Sequence, residues 1–174
     1  MTAFARPFRF PQAVSACVLA AFVGMASAQT KTDARRVIGW VEKVGVTQRN
    51  FVLDGKMDTG ADNSSLHALQ QEVFEREGAP WVRFQVQNPE GQTLSIEQPV
   101  VKTARIKRHD GGMEQRWVIQ LGLCIGRQYK VVDVNLVSRD RYTYPLLVGR
   151  SFLQRDFIVD SSLRYTVEPA CDGK

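Results

Sequence analysis

Along most of the chain, apolar residues alternate with polar ones in short runs, the period-two pattern of half-buried strands. Val37-Ile38-Gly39-Trp40-Val41-Glu42-Lys43-Val44 opens a β-rich stretch. Phe51-Val52-Leu53 leads through Asp54-Gly55, read as a turn pair, into Lys56-Met57 and Asp58. Leu66, Leu69, Val73 and Phe74 recur instead at helical spacing. They predict the main helix over Leu66–Glu77, stopped by Gly78-Ala79-Pro80. Beyond Pro80 the pattern returns to strand. Trp81–Gln87 alternates and turns at Asn88-Pro89-Glu90-Gly91. Val100–Arg108 and Arg116–Gly122 read as a long hairpin about His109-Asp110-Gly111-Gly112. Arg127–Val137 and the buried run Tyr144–Val148 follow, then a helical turn at Ser151–Arg155 and strands at Phe157–Asp160 and Arg164–Val167. The class this predicts is mostly β, a barrel or sandwich with one main helix.

The first 28 residues break that pattern. Arg6 and Arg9 precede an apolar run from Ala13 to Met25, too short for a membrane span, and Ala26-Ser27-Ala28 fits a small-residue cleavage site. This reads as a signal peptide cleaved after Ala28. An acylation site at Cys17 is the weaker alternative, because no apolar run precedes that cysteine. The expected organisation is a signal peptide over 1–28, a flexible polar segment over 29–36, and one domain over 37–174. The expected location is the periplasm or the exterior, with no stable membrane insertion after cleavage.

Charge then changes meaning. The formal +5 of the full chain falls to +3 once Arg6 and Arg9 leave with the leader, a balance that gives no nucleic-acid signature. Arg105, Lys107 and Arg108 alternate along a strand and read as a solvated face. The 146 residues left of 174 suffice for one domain with a core. Cys124 and Cys171 remain as an even pair in an oxidising compartment, and spacing alone leaves their bonding open.

The candidate chemistry centres on Met57-Asp58-Thr59-Gly60-Ala61-Asp62, a carboxylate set directly after an apolar strand and before a tight loop. Gly60 permits a close backbone approach there, and the Thr59 hydroxyl can tie the loop down. Alone, Asp-Thr-Gly is a weak signal. A second motif lies downstream, the apolar strand Tyr144-Pro145-Leu146-Leu147-Val148 ending in Gly149-Arg150, with Phe152-Leu153 after it.

In that order the two motifs resemble those of the retropepsin-type aspartic peptidases. The strings Lys56–Ala68 and Trp81-Val82-Arg83-Phe84 are similar to a bacterial branch that has been labelled ATP-dependent zinc proteases, and the resemblance covers Val37 to Val167. It implies a closed acid-protease-like β-barrel and an aspartic endopeptidase acting on peptide or protein. Asp58 would be catalytic, with Thr59, Gly60 and Ala61 as catalytic-loop support. Thr59 would interlock two loops across a dimer, and the Gly60 carbonyl would contact substrate. Asp62 would bind the substrate main chain and pair with Arg150. A dyad needs two carboxylates, and no second Asp-Thr/Ser-Gly exists, so the resemblance implies a homodimer with one Asp58 from each subunit. The hairpin Arg105–Trp117 is a candidate flap.

Other chemistries find less support. His67 and His109 are the two histidines, and neither belongs to a zincin helix. There is no glycine-rich phosphate loop ending in Lys-Ser/Thr, so no metal or cofactor is expected. A metal set of Asp54, Asp58 and Asp62 would need a helix that Gly55 and Gly60 oppose. Ser64 and Ser65 read as caps of the expected helix, and His67 is a candidate cleft residue. The rival function is a peptide-binding envelope protein that retains the fold without catalysis.

Overall fold

A computed structural model describes residues 35–107 and 111–171 of the chain. The signal peptide and residues 29–34 lie outside the described residues, as do positions 108–110 at the tip of the expected flap. The architecture is mostly β, with one short helix among the described residues.

The strands are β1 (Arg36–Val46), β2 (Gln48–Met57), β3 (Ser64–His67), β4 (Leu69–Arg76), β5 (Ala79–Gln87) and β6 (Thr93–Pro99). They continue as β7 (Lys102–Lys107), β8 (Met113–Ile125), β9 (Gln128–Val137), β10 (Leu146–Val148) and β11 (Phe157–Arg164), with the helix α1 (Arg150–Leu153) before β11. β1 begins at Arg36, within the segment expected to be flexible. The main sheet runs β11-β1-β2-β10-β3-β9-β8-β7, and a further β1–β8 pairing returns it on itself. Ile38, Leu53, Leu66, Ile119, Leu121, Leu136 and Leu146 fill the interior of that ring with essentially no exposure. Phe152 of α1 stacks on Phe157, ring centroids 5.9 Å apart, so the short helix plugs into the same core.

A separate three-stranded sheet, β4-β5-β6, replaces the expected main helix. Its existence corrects the reading of Leu66–Glu77. β4 pairs β5 with a register shift between Leu69 and Glu72, and Gln70 there has φ 49°. One bulge residue stretches a period-two pattern toward spacings of three and four, which mimics a helix. Cross-strand partners then decide the outcome, Phe74 opposite Trp81 and Val73 opposite Val82. Glu77 and Gly78, with φ 54° and 75°, form the two-residue turn that twisted hairpins favour, so the glycine turns a hairpin and does not stop a helix.

Two further differences have packing causes. Asp54-Gly55 is no turn. Gly55 lies inside β2, pairing Glu42 on one side and Leu146 on the other, and a Cβ there would sit 2.7 Å from Val44 Cγ2. The glycine is required for close packing. β6 went unread because Gln92–Pro99 is polar on one face and includes only Leu94 and Ile96 as large apolar residues.

Candidate active site

β2 delivers Asp58 to a loop that main-chain groups hold from both sides. The Asp58 N–H donates to the Val148 carbonyl at 2.9 Å, tying the loop to β10. Its Oδ1 accepts from the N–H groups of Gly60 (2.9 Å) and Ala61 (3.2 Å), an Asx-type turn that fixes the carboxylate. A Cβ on Gly60 would stand 3.2 Å from that oxygen, so the close neighbour of Gly60 is the Asp58 carboxylate itself.

The Gly-Arg motif closes on this loop from below. A Cβ on Gly149 would lie 2.6 Å from the Asn63 carbonyl carbon and oxygen, and the Gly149 N–H donates to the buried Ser64 Oγ at 3.1 Å. Ser64 and Ser65 therefore cap no helix: they belong to β3, and Ser64 anchors Gly149. The Arg150 and Ser151 N–H groups donate to the carbonyls of Ala61 and Asp62. Arg150 Nη1 donates to the carbonyls of Thr59 (3.0 Å) and Gly60 (2.8 Å), while Nη2 pairs with Asp62. The Gly60 carbonyl is thus held by Arg150 within the chain, and Thr59, Gly60 and Asp62 are all exposed. Asp54 stands apart, paired with Lys43 Nζ at 2.7 Å, so the three acids of the rejected metal set have separate partners.

Asp58 faces an open cleft of about 1180 Å³. One side is Trp40, Lys56 and Ser65; the β7–β8 hairpin contributes Ile106, Glu114 and Arg116 to the lining of the same cleft. The remaining wall is the segment from Val137 to Tyr144, together with Leu147. Sequence reasoning missed this wall. Its signal was a run of charged and aromatic residues, Arg139 to Tyr144, too long for a turn between two apolar strands.

Arg139 is the unusual member, only 8% exposed. Its Nε donates to the Tyr144 carbonyl at 3.1 Å, and its guanidinium lies 4.5 Å from the Tyr142 ring centroid. Burial pushes this guanidinium below the usual arginine range; Tyr142 pulls it back up, Arg116 opposes, and Asp58 pulls it up again. Arg139 and Asp58 line the same cleft. His67 does not line the cleft. Its Nδ1 accepts the Arg139 main-chain N–H at 2.7 Å, and its Nε2 is 3.4 Å from Asp140 Oδ1.

The mostly β scaffold thus presents a carboxylate on a main-chain-held Asp-Thr-Gly loop, with a Gly-Arg strand end closing beneath. Residues 37–170 match the family model described as RimB-like, retropepsin-like aspartic endopeptidase RimB, and the chain belongs to this family. A Legionella pneumophila crystal structure, titled a protein of unknown function (DUF785), is 34% identical with a TM-score of 0.65, over 75% of this chain and 96% of that one. A Shewanella halifaxensis protein named "Probable alpha-L-glutamate ligase" is 34% identical over 113 residues, 63% of this chain and 25% of the ligase. One of the same name from Desulfotalea psychrophila is 27% identical over 135 residues, 75% of this chain and 29% of that protein. The chain thus spans about a quarter of the length of the ligases it matches.

Proposed function

We propose that this chain is an aspartic endopeptidase of the bacterial envelope, active as a homodimer in which each subunit supplies one Asp58 beneath a closed acid-protease-like barrel. The observation that carries this reading is the Asp58 loop itself. Two N–H donors orient one carboxylate oxygen, the Arg150 guanidinium holds three groups of the loop, and the cleft opens above. Such rigidity suits a group that must present an oxygen at a fixed angle to a second carboxylate.

Two carboxylates side by side share one proton. The ionised one takes a proton from a water between them as that water attacks the scissile carbonyl, whose oxygen accepts the other carboxyl's proton. The roles then reverse as the C–N bond breaks and the amine leaves protonated. Export is supported by the leader-like first 28 residues and by the Cys124–Cys171 disulfide, whose Cα atoms are 6.0 Å apart.

Cleft charge points to the substrate. Lys56, Arg116, Arg139 and Arg141 line it with Asp58, Glu114 and Asp140. Glu114 and Arg116 pair with each other, leaving Lys56, Arg139 and Arg141 against Asp58 and Asp140, a small cationic excess that favours a peptide carrying acidic side chains. Relatives named as glutamate ligases fit that direction.

The test compares wild type and Asp58→Asn on acidic and neutral peptide libraries at mildly acid pH, with EDTA and with ATP plus glutamate as further arms. Cleavage of acidic peptides that survives EDTA and vanishes in the variant is expected. A wild-type dimer that binds peptide and leaves it intact at every pH supports the non-catalytic rival, and ATP-dependent addition of glutamate would overturn the hydrolase.

A further inference from the structure

We propose that His67 is a positioning residue for this reaction, holding the cleft wall that carries Arg139; the proposal rests on the peptidase reading above. His67 ends β3 between two strands, opposite Val137 of parallel β9, while its own N–H donates to the Pro145 carbonyl at 2.8 Å. Its main chain therefore grips one end of the wall segment. Its side chain grips the other, through the 2.7 Å bond from the Arg139 N–H to Nδ1 and the contact of Nε2 with Asp140. An Nδ1 that accepts from a main-chain donor carries no proton, so the ring hydrogen sits on Nε2 and faces Asp140.

What hangs on this hold is more than a loop. The Arg139 guanidinium is buried against Tyr142 and the Tyr144 carbonyl, and Arg139 lines the same cleft as Asp58. A side chain so enclosed cannot swing to compensate for a shift of its own main chain. Loss of the Nδ1 acceptor leaves the Arg139 N–H unpaired and moves the guanidinium relative to Asp58. A histidine satisfied purely for packing would be interchangeable with any residue filling its space; a positioning histidine is replaceable only by a group with an acceptor at the Nδ1 location. Asparagine has one there. Glutamine places its amide near Nε2 instead, reaching Asp140 and abandoning Arg139.

The experiment measures kcat and KM on an acidic peptide, across pH, for wild type, His67→Ala, His67→Gln and His67→Asn, alongside amide hydrogen exchange of Arg139 in the full-length protein. The Ala and Gln variants are expected to raise KM about tenfold with kcat nearly unchanged, and to expose the Arg139 amide. His67→Asn is expected to restore both. His67→Gln matching His67→Asn, or three variants with unchanged KM and exchange, would overturn the proposal. A wild type without turnover counts against the peptidase reading, whereas the hold is then judged on exchange alone: Ala and Gln variants as protected as wild type overturn it.

Discussion

Nη1 of Arg150 donates to the Gly60 carbonyl at 2.8 Å, joining residues 90 positions apart. The same guanidinium reaches the Thr59 carbonyl and the Asp62 carboxylate, so one planar fork spans three groups of the Asp58 loop. A lysine ammonium is a point donor on a flexible stem and cannot reproduce that span. Arg150→Lys should therefore keep the charge and lose the loop geometry, lowering kcat/KM by about tenfold or more. Steady-state kinetics with a parallel melting curve checks this; a folded variant with wild-type kcat/KM would show that the fork does not set the loop.

Gly149 is held by space. A Cβ there would meet main-chain atoms of Asn63 at 2.6 Å and the Asp62 carbonyl at 2.9 Å, and main chain has no rotamer by which to yield. Gly149→Ala should destabilise by about 1–3 kcal/mol, as overpacking of a tight interior does. Urea denaturation reads the loss, and an unchanged midpoint would mean that the two segments are free to separate.

The Asp58 loop and the Gly149-Arg150 strand end were legible in the sequence as two motifs, and the structure brings them together. Asp58 stands out as an acid directly after an apolar strand, and Arg150 as part of the Gly-Arg pair that ends another. The strands read from alternation, β1, β5, β8 and β9 among them, follow from one face being buried. What failed was period without context. A bulge at Gln70 gave β4 the spacing of a helix, and only its partner β5 reveals the difference. The wall from Arg139 to Tyr144 was equally opaque, because its role rests on His67, 72 residues away, accepting one main-chain hydrogen. No local pattern encodes such a contact.

Glu42 carries a different load. Fully buried, its carboxylate accepts from the Gly39 N–H at 2.6 Å, from the Thr166 N–H and hydroxyl, and from the Val167 N–H. The Gly39 donor lies where the β1–β11 register shifts, and Thr166 and Val167 follow the end of β11 at Arg164, so the side chain takes up main-chain donors that the ladder leaves. Glu42→Gln would put an amide NH₂ against N–H donors and should cost about 2–4 kcal/mol. The prediction is checked by denaturation together with proteolysis of the C-terminal segment; a neutral substitution would refute the anchoring role.

On the small sheet, Arg76 and then Arg83 hold the Glu97 carboxyl below the usual glutamate range. A carboxyl so depressed stabilises the fold fully above the ordinary glutamate range, and that contribution fades as pH falls through it and below. Glu97→Gln should therefore lower the melting temperature slightly near neutrality and reduce its decline in acid. Melting curves from neutral to strongly acid pH that run parallel for the two proteins would contradict this.

The C-terminal segment lies across the pairing of β1 with β8. That seam has two register pairs, Gly45 with Cys124 and Val46 with Leu123, so it is short. The segment crosses it: a Cβ on Gly45 would come within 3.3 Å of Pro169 Cβ, the Ala170 N–H donates to the Gly126 carbonyl at 2.6 Å, and Cys171 is bonded to Cys124. A crosslink between residues 47 apart removes loop entropy from the unfolded chain worth about 4 kcal/mol. Cys171→Ser should therefore lose much of that stability. Its effect should also be local, since the segment would no longer cover the seam. The Thr47 N–H, which donates to the Gly122 carbonyl at 3.0 Å across the seam, should then exchange faster while amides between β8 and β9 keep their protection relative to global unfolding. Uniform acceleration across the sheet would mean that the crosslink acts on the unfolded chain alone, and an unchanged melting temperature would mean that it contributes nothing.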